Sequence, residues 1–252
     1  MSLAALMIVL AVSIPHVACI NLGNDSLVNE PFMVALFLHR PYTRESVHCS
    51  GTLISQDYVL TAARCFYDND VSTINIIFGA LATDRWEEGH LTVTQNTSGL
   101  TLHPGFDPDT FANNLALIKL DDSIPFTDFI SPVALYDGDE TLEGENSTIL
   151  GYGLYDYQLK YAFNPILSTV DCQTSDVFYE DLVTDEHICF AGYGFLSACE
   201  GDFGGPLLVD DVQVGVLSFY WHDEYNYCYF DQPTVSTRIS RFRSWIRDIS
   251  GV

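Results

Sequence analysis

Short apolar runs separated by turn-forming residues are what most limits the fold available to this chain. Phe32–Leu38, Ile74–Phe78, Leu115–Leu120 and Val212–Phe219 are short, mostly apolar runs set between Gly, Asp, Asn and Pro clusters. Runs too short for helices, recurring at such intervals, predict an all-β barrel or sandwich. Only the end of the chain has another period: Phe242, Trp245, Ile246 and Ile249 fall at i, i+3, i+4 and i+7, one face of a terminal helix that should dock on the β core. No repeat or low-complexity linker divides the chain, so the reading is one domain of two halves, with the seam near Asp121–Pro132.

Residues 1–19 read as a signal peptide: an uncharged apolar run from Leu3 is followed by Pro15 and small residues. Cleavage prefers small residues at the last and third-last positions, which Val17 and Cys19 satisfy, so the mature chain should start at Ile20. No later stretch offers about 18 uninterrupted apolar residues, and no membrane insertion is expected. The protein should be secreted, with halves spanning 20–125 and 126–252. Asn24, Asn96 and Asn146 each open an Asn-x-Ser/Thr sequon and become candidate glycosylation sites.

Of seven cysteines, loss of Cys19 leaves Cys49, Cys65, Cys172, Cys189, Cys199 and Cys228, an even set that in a secreted chain suggests disulfides. A metal site is not expected, since no pair is spaced as a zinc knuckle; nor is any cofactor. With 10 Lys plus Arg against 34 Asp plus Glu, the formal charge of −24 repels nucleic acid and anionic lipid. The acidic stretch Asp137–Glu145 reads as a solvated loop, with cation or basic-partner binding as its alternative.

Three segments carry a resemblance. Cys199–Leu207 (Cys-Glu-Gly-Asp-Phe-Gly-Gly-Pro-Leu) resembles the nucleophile loop of trypsin-like serine peptidases, with Phe203 where the family has Ser. His48–Ile54 followed by Tyr58–Cys65 is similar to the segment carrying the catalytic His, with Arg64 in its place. Asn113–Leu120 resembles the segment carrying the catalytic Asp, with Asn114 there instead. His103-Pro104, the Gly151–Gly153 turn and the six mature cysteines follow in family order.

The resemblance implies two six-stranded antiparallel Greek-key β-barrels with a C-terminal α-helix, and the disulfides Cys49–Cys65, Cys172–Cys189 and Cys199–Cys228. It also places the primary specificity pocket at Ser197, Tyr220 and Thr234: Tyr and Thr should fill space that glycines leave open, and Ser197 brings no charge to the pocket base. In the family a freed Ile amine pairs with the Asp beside the nucleophile; here that pair would be Ile20 with Asp202, released by signal peptidase. A frayed Ile20 is the alternative.

Acyl transfer by a triad needs a hydroxyl nucleophile, an imidazole base and an orienting carboxylate. Phe203, Arg64 and Asn114 supply none of these: Phe203 has no heteroatom, Arg64 stays protonated, and Asn114 is uncharged. No Ser-His pairing suited to replace them is apparent around His48, His103 or His222. The expectation is therefore an inactive, monomeric serine protease homologue that binds a protein partner (a protease, a protease substrate or a receptor), as regulator or cofactor of a proteolytic pathway. Trp221, Tyr225 and Tyr227 are the candidate contact anchors. Alternatives are residual endopeptidase activity at a non-standard site, a decoy for protease inhibitors, or a fluid component without a specific partner.

Overall fold

The computed structural model describes residues 20, 23–41, 46–67, 70–153, 157–221 and 231–252. The apolar runs are strands, and they sort into two sheets. Seven strands of the first half follow the order Leu91–Asn96, Thr73–Phe78, Met33–His39, Ser46–Leu53, Tyr58–Thr61, Ala116–Lys119 and Leu100–Leu102, each antiparallel to its neighbour. Their path is a curled, open half-barrel.

In the second half Lys160–Leu167, Asn146–Gly151, Pro206–Val209, Val212–Tyr220, Thr234–Arg238 and His187–Phe190 follow one another, and the last pairs back onto the first. That pairing, Ile166 with Phe190 and Leu167 with Cys189, closes a six-stranded barrel. Closure removes the exposed edges that an open sheet leaves unpaired.

The two halves interlock through the chain ends. Asn24 and Asp25 pair with Tyr161 and Lys160 of the second half. The terminal helix Ile239–Ser250 buries Ile239, Phe242 and Ile246 in the core cluster that also holds Leu117 and Ile118 of the first half. His103 meets Phe242 and Trp245 edge-on, at centroid distances of 5.3 and 4.9 Å. Gly251 ends the helix in the left-handed conformation (φ +78°), which costs glycine nothing because it has no Cβ.

Cys49–Cys65 and Cys172–Cys189 are disulfides, closing loops of 16 and 17 residues. Chain-entropy arguments assign loops of this length about 3 kcal/mol each. Cys199 is also disulfide-bonded; its expected partner Cys228, with His222, Tyr225 and Tyr227, lies outside the described residues. No helix among the described residues is long and apolar enough to cross a membrane.

Candidate functional site: a filled cleft

Three loops bring the substituted positions together. Arg64 lies in the short 3-10 turn Ala63–Cys65, which the Cys49–Cys65 disulfide ties to the strand Ser46–Leu53. Asn114 precedes the strand Ala116–Lys119, whose partner Tyr58–Thr61 leads into the Arg64 turn. Phe203 belongs to the second half, but its loop is held on the first: the Ser50 amide donates to the Phe203 carbonyl at 2.8 Å and the Ser50 hydroxyl to the Gly201 carbonyl at 3.0 Å.

At the centre is a column of aromatic rings around one cation. The Arg64 guanidinium carbon sits 3.7 Å from the centroid of the Phe203 ring and 4.6 Å from that of Phe111. Beyond Phe203, Tyr220 stacks at 5.3 Å with an interplanar angle of 9°; beyond Phe111, Phe219 stacks at 5.3 Å. Aromatic faces carry negative potential, so a cation between two of them is attracted to both, by about 1–2 kcal/mol per face when water is largely excluded. Arg64 Nη1 also donates to the Ser218 carbonyl at 2.8 Å. Burial lowers the Arg64 pKa from its usual value, opposed by the nearby Glu200 and Tyr220. Arginine begins so far above neutrality that it remains a cation.

Asn114 is fully buried and bonded at both ends of its amide: Oδ1 accepts from the Arg64 backbone N–H at 2.8 Å, and Nδ2 donates to Ser218 Oγ at 2.7 Å. The Ser218 hydroxyl could itself donate to a carboxylate at this position, so what the amide changes is the charge. The amide is matched to its neighbours and adds no charge beside Arg64.

The expected pocket positions also converge. Tyr220 and Thr234 are cross-strand partners. Tyr220 is buried with its hydroxyl donating to Glu200 Oε1 at 3.3 Å, and burial, with Glu200 second, pushes its pKa upward. Thr234 Oγ1 accepts from the Ala198 amide at 3.0 Å. Ser197 Oγ is buried with no hydrogen-bond partner among the described residues.

Ile20 is fully buried, and its nitrogen donates to Asp202 Oδ2 at 3.1 Å. The same carboxylate accepts from the amides of Cys199 at 2.8 Å and Gly153 at 3.0 Å. A Cβ on Gly151 would lie 2.0 Å from Asp202 Oδ1, so only glycine leaves room for the buried carboxylate.

Sequence reasoning missed two participants. Phe111 holds a left-handed backbone (φ +56°) that aims its ring at Arg64; the only hint was an aromatic residue three places before Asn114. Ser46 and His48 form a Ser–His hydrogen bond at 3.0 Å, Oγ to Nε2. Spacing of two along a strand, which puts both side chains on one face, was the available signal. Trp221 is half-buried against the cluster containing Tyr179 and Phe219, and its backbone N–H donates to Tyr179 Oη at 2.9 Å. The sequon residues Asn24, Asn96 and Asn146 are all exposed. In the acidic stretch, Asp137 pairs with Arg243 and Arg247 of the terminal helix.

The sequence profile of the Trypsin family matches residues 23–246. The chain belongs to the trypsin family. Among its relatives in that family, a chymotrypsin of Phaedon cochleariae is 31% identical over 84% of this chain and 75% of its own. Brachyurin of Leptuca pugilator is 30% identical over 91% of this chain and 98% of its own. HL collagenase, a solved structure, superposes with a TM-score of 0.79 at 25% identity, covering 91% of this chain and 98% of that one.

Proposed function

We propose that this trypsin-family protein is a secreted, non-catalytic homologue that acts by binding another protein, as a regulator or cofactor of proteolysis. One observation carries the reading: the Arg64 guanidinium carbon lies over the Phe203 ring at 3.7 Å and over the Phe111 ring at 4.6 Å, so two of the substituted positions pack on one another. Where the family mechanism needs a nucleophile and a base there is a phenyl ring and a permanent cation, and the fold alone confers no activity. In this reading the mature chain starts at Ile20 and carries glycans on the exposed sequons.

The test is treatment of the secreted protein with a serine-directed fluorophosphonate, followed by intact mass and by cleavage assays on mixed peptides, with chymotrypsin as positive control. No adduct and no cleavage is the expected result; an adduct or product would overturn the non-catalytic reading. The Ser46–His48 hydrogen bond favours one second reading, peptidase activity at a non-standard site, and an adduct mapped to Ser46 would establish it. Binding is read by capturing partners of the tagged protein from its own fluid, before and after Trp221→Ala.

A further inference from the structure

A cavity of mixed polar and apolar lining, sharing no residue with the Arg64 cluster, lies where the segment after Ile20 meets the second half. It encloses about 310 Å³ between the segment after Ile20, the strand Lys160–Leu167 and the hairpin turn at Asp210–Asp211. Three of its lining side chains are apolar and well exposed: Leu27 (89%), Val28 (64%) and Phe163 (58%). Isolated exposed apolar residues are ordinary, but three around one cavity form a contact surface.

Two carboxylates line the same cavity, Glu30 and Asp211. Val209 and Val212 pair across a two-residue turn in which Asp210 and Asp211 take φ of +48° and +61°, the geometry of a type I′ hairpin turn. Glu30 is half-buried, and burial together with the charge of Asp211 raises its pKa. Among the described residues no Lys or Arg pairs with either carboxylate, and the neighbouring Lys160 is held by Asp25 at 2.7 Å. Two like charges beside an apolar wall are stabilised by an incoming cation.

We propose that this cavity is the docking site for a basic segment of a partner protein. The aliphatic stem of one lysine or arginine lies along Phe163, Leu27 and Val28, and its charged head reaches Glu30 and Asp211. Long basic side chains combine these two properties. The turn separates this cavity from a second one, of about 530 Å³, lined by Glu143, Glu145 and Asp210 beside Leu142 and Val214, so a second cation further along the segment meets carboxylates too. A second copy of the chain is a poor occupant, because each carries a formal charge of −24. Residues 1–19 contain no Lys or Arg side chain to fill this role either. The proposal does not depend on the loss of peptidase chemistry.

The test uses the secreted full chain and fluorescence anisotropy with a labelled peptide, Ala-Lys-Leu-Ala-Ala-Lys-Leu-Ala, alongside versions with both lysines changed to norleucine or both leucines changed to serine. Saturable binding of the first, weakened by salt, with loss for both analogues, is expected. The Glu30→Gln/Asp211→Asn double variant should weaken it about tenfold, and Phe163→Ala by a similar factor, whereas Glu180→Gln/Asp181→Asn, which removes two exposed acids elsewhere, should leave it unchanged. If Phe163→Ala lowers the unfolding midpoint, the charge variants still decide, since both substituted side chains keep their shape. Absence of binding, equal weakening by the control pair, or equal binding of the norleucine peptide would each overturn the proposal.

Discussion

The guanidinium carbon of Arg64 lies over the ring of Phe203, 3.7 Å from its centroid. On the non-catalytic reading proposed above, these positions correspond to the family's nucleophile and base, and a cation–π contact stands where a proton relay would be. Triad members act as a unit, so restoring one cannot restore the relay. Phe203→Ser, Arg64→His and Asn114→Asp, each made singly, should show no peptide hydrolysis above the blank in a fluorogenic assay. Turnover by any one of them would mean that the remaining site is competent.

Removing the cation should open the column. Arg64→Ala loses two ring faces and the hydrogen bond to the Ser218 carbonyl, and is expected to destabilise the fold by about 2–4 kcal/mol in urea titration. Arg64→Lys keeps charge but not the flat stacking surface and should fall between. A cost under about 0.5 kcal/mol for the alanine variant would remove the column's structural role.

Acid should weaken the fold through His187. Its ring is buried, and Nδ1 accepts from the Thr184 amide at 3.1 Å. Burial lowers its pKa from 6.5 to about 4. The unfolded chain therefore takes up the proton first: stability is full above pH 6.5, falls as pH drops toward 4, and levels off below. Linkage puts the loss at about 3 kcal/mol. Denaturation midpoints between pH 7 and pH 4 should show this slope, and His187→Gln should flatten it.

The Ile20–Asp202 contact predicts a defined mature terminus. Intact mass of the secreted protein should give a chain starting at Ile20. Its amine should resist acetic anhydride in the native state while the exposed Lys119 reacts, and become reactive on unfolding. Asp202→Asn, which removes the charge from a group accepting three backbone N–H bonds, should lower stability by about 2–4 kcal/mol and unmask the amine.

Gly204 should tolerate no side chain even though no nucleophile follows the family pattern beside it. Its φ is +86°, and a Cβ would lie 2.2 Å from both the Ser50 carbonyl oxygen and Thr61 Oγ1. Gly204→Ala is expected to lower the thermal midpoint by more than about 5 °C.

Much of this protein was legible in the chain itself. Alternating turn clusters and apolar runs gave the strands, a 3.6-residue period gave the Phe242–Ile249 helix face, and the segments around Arg64, Asn114 and Phe203 gave the family. These are local facts, set by side-chain chemistry and short-range periodicity. The rest required contacts between residues far apart in sequence: the pairing of Leu167 with Cys189 that closes one barrel while the other sheet stays open, the left-handed Phe111 that supplies Arg64 with its second ring, and the cavity built from residues near 28, 163 and 211. A sequence fixes what each residue can offer; only tertiary packing decides which offers meet, because stacking, burial and charge pairing act over a few ångströms of space and not along the chain.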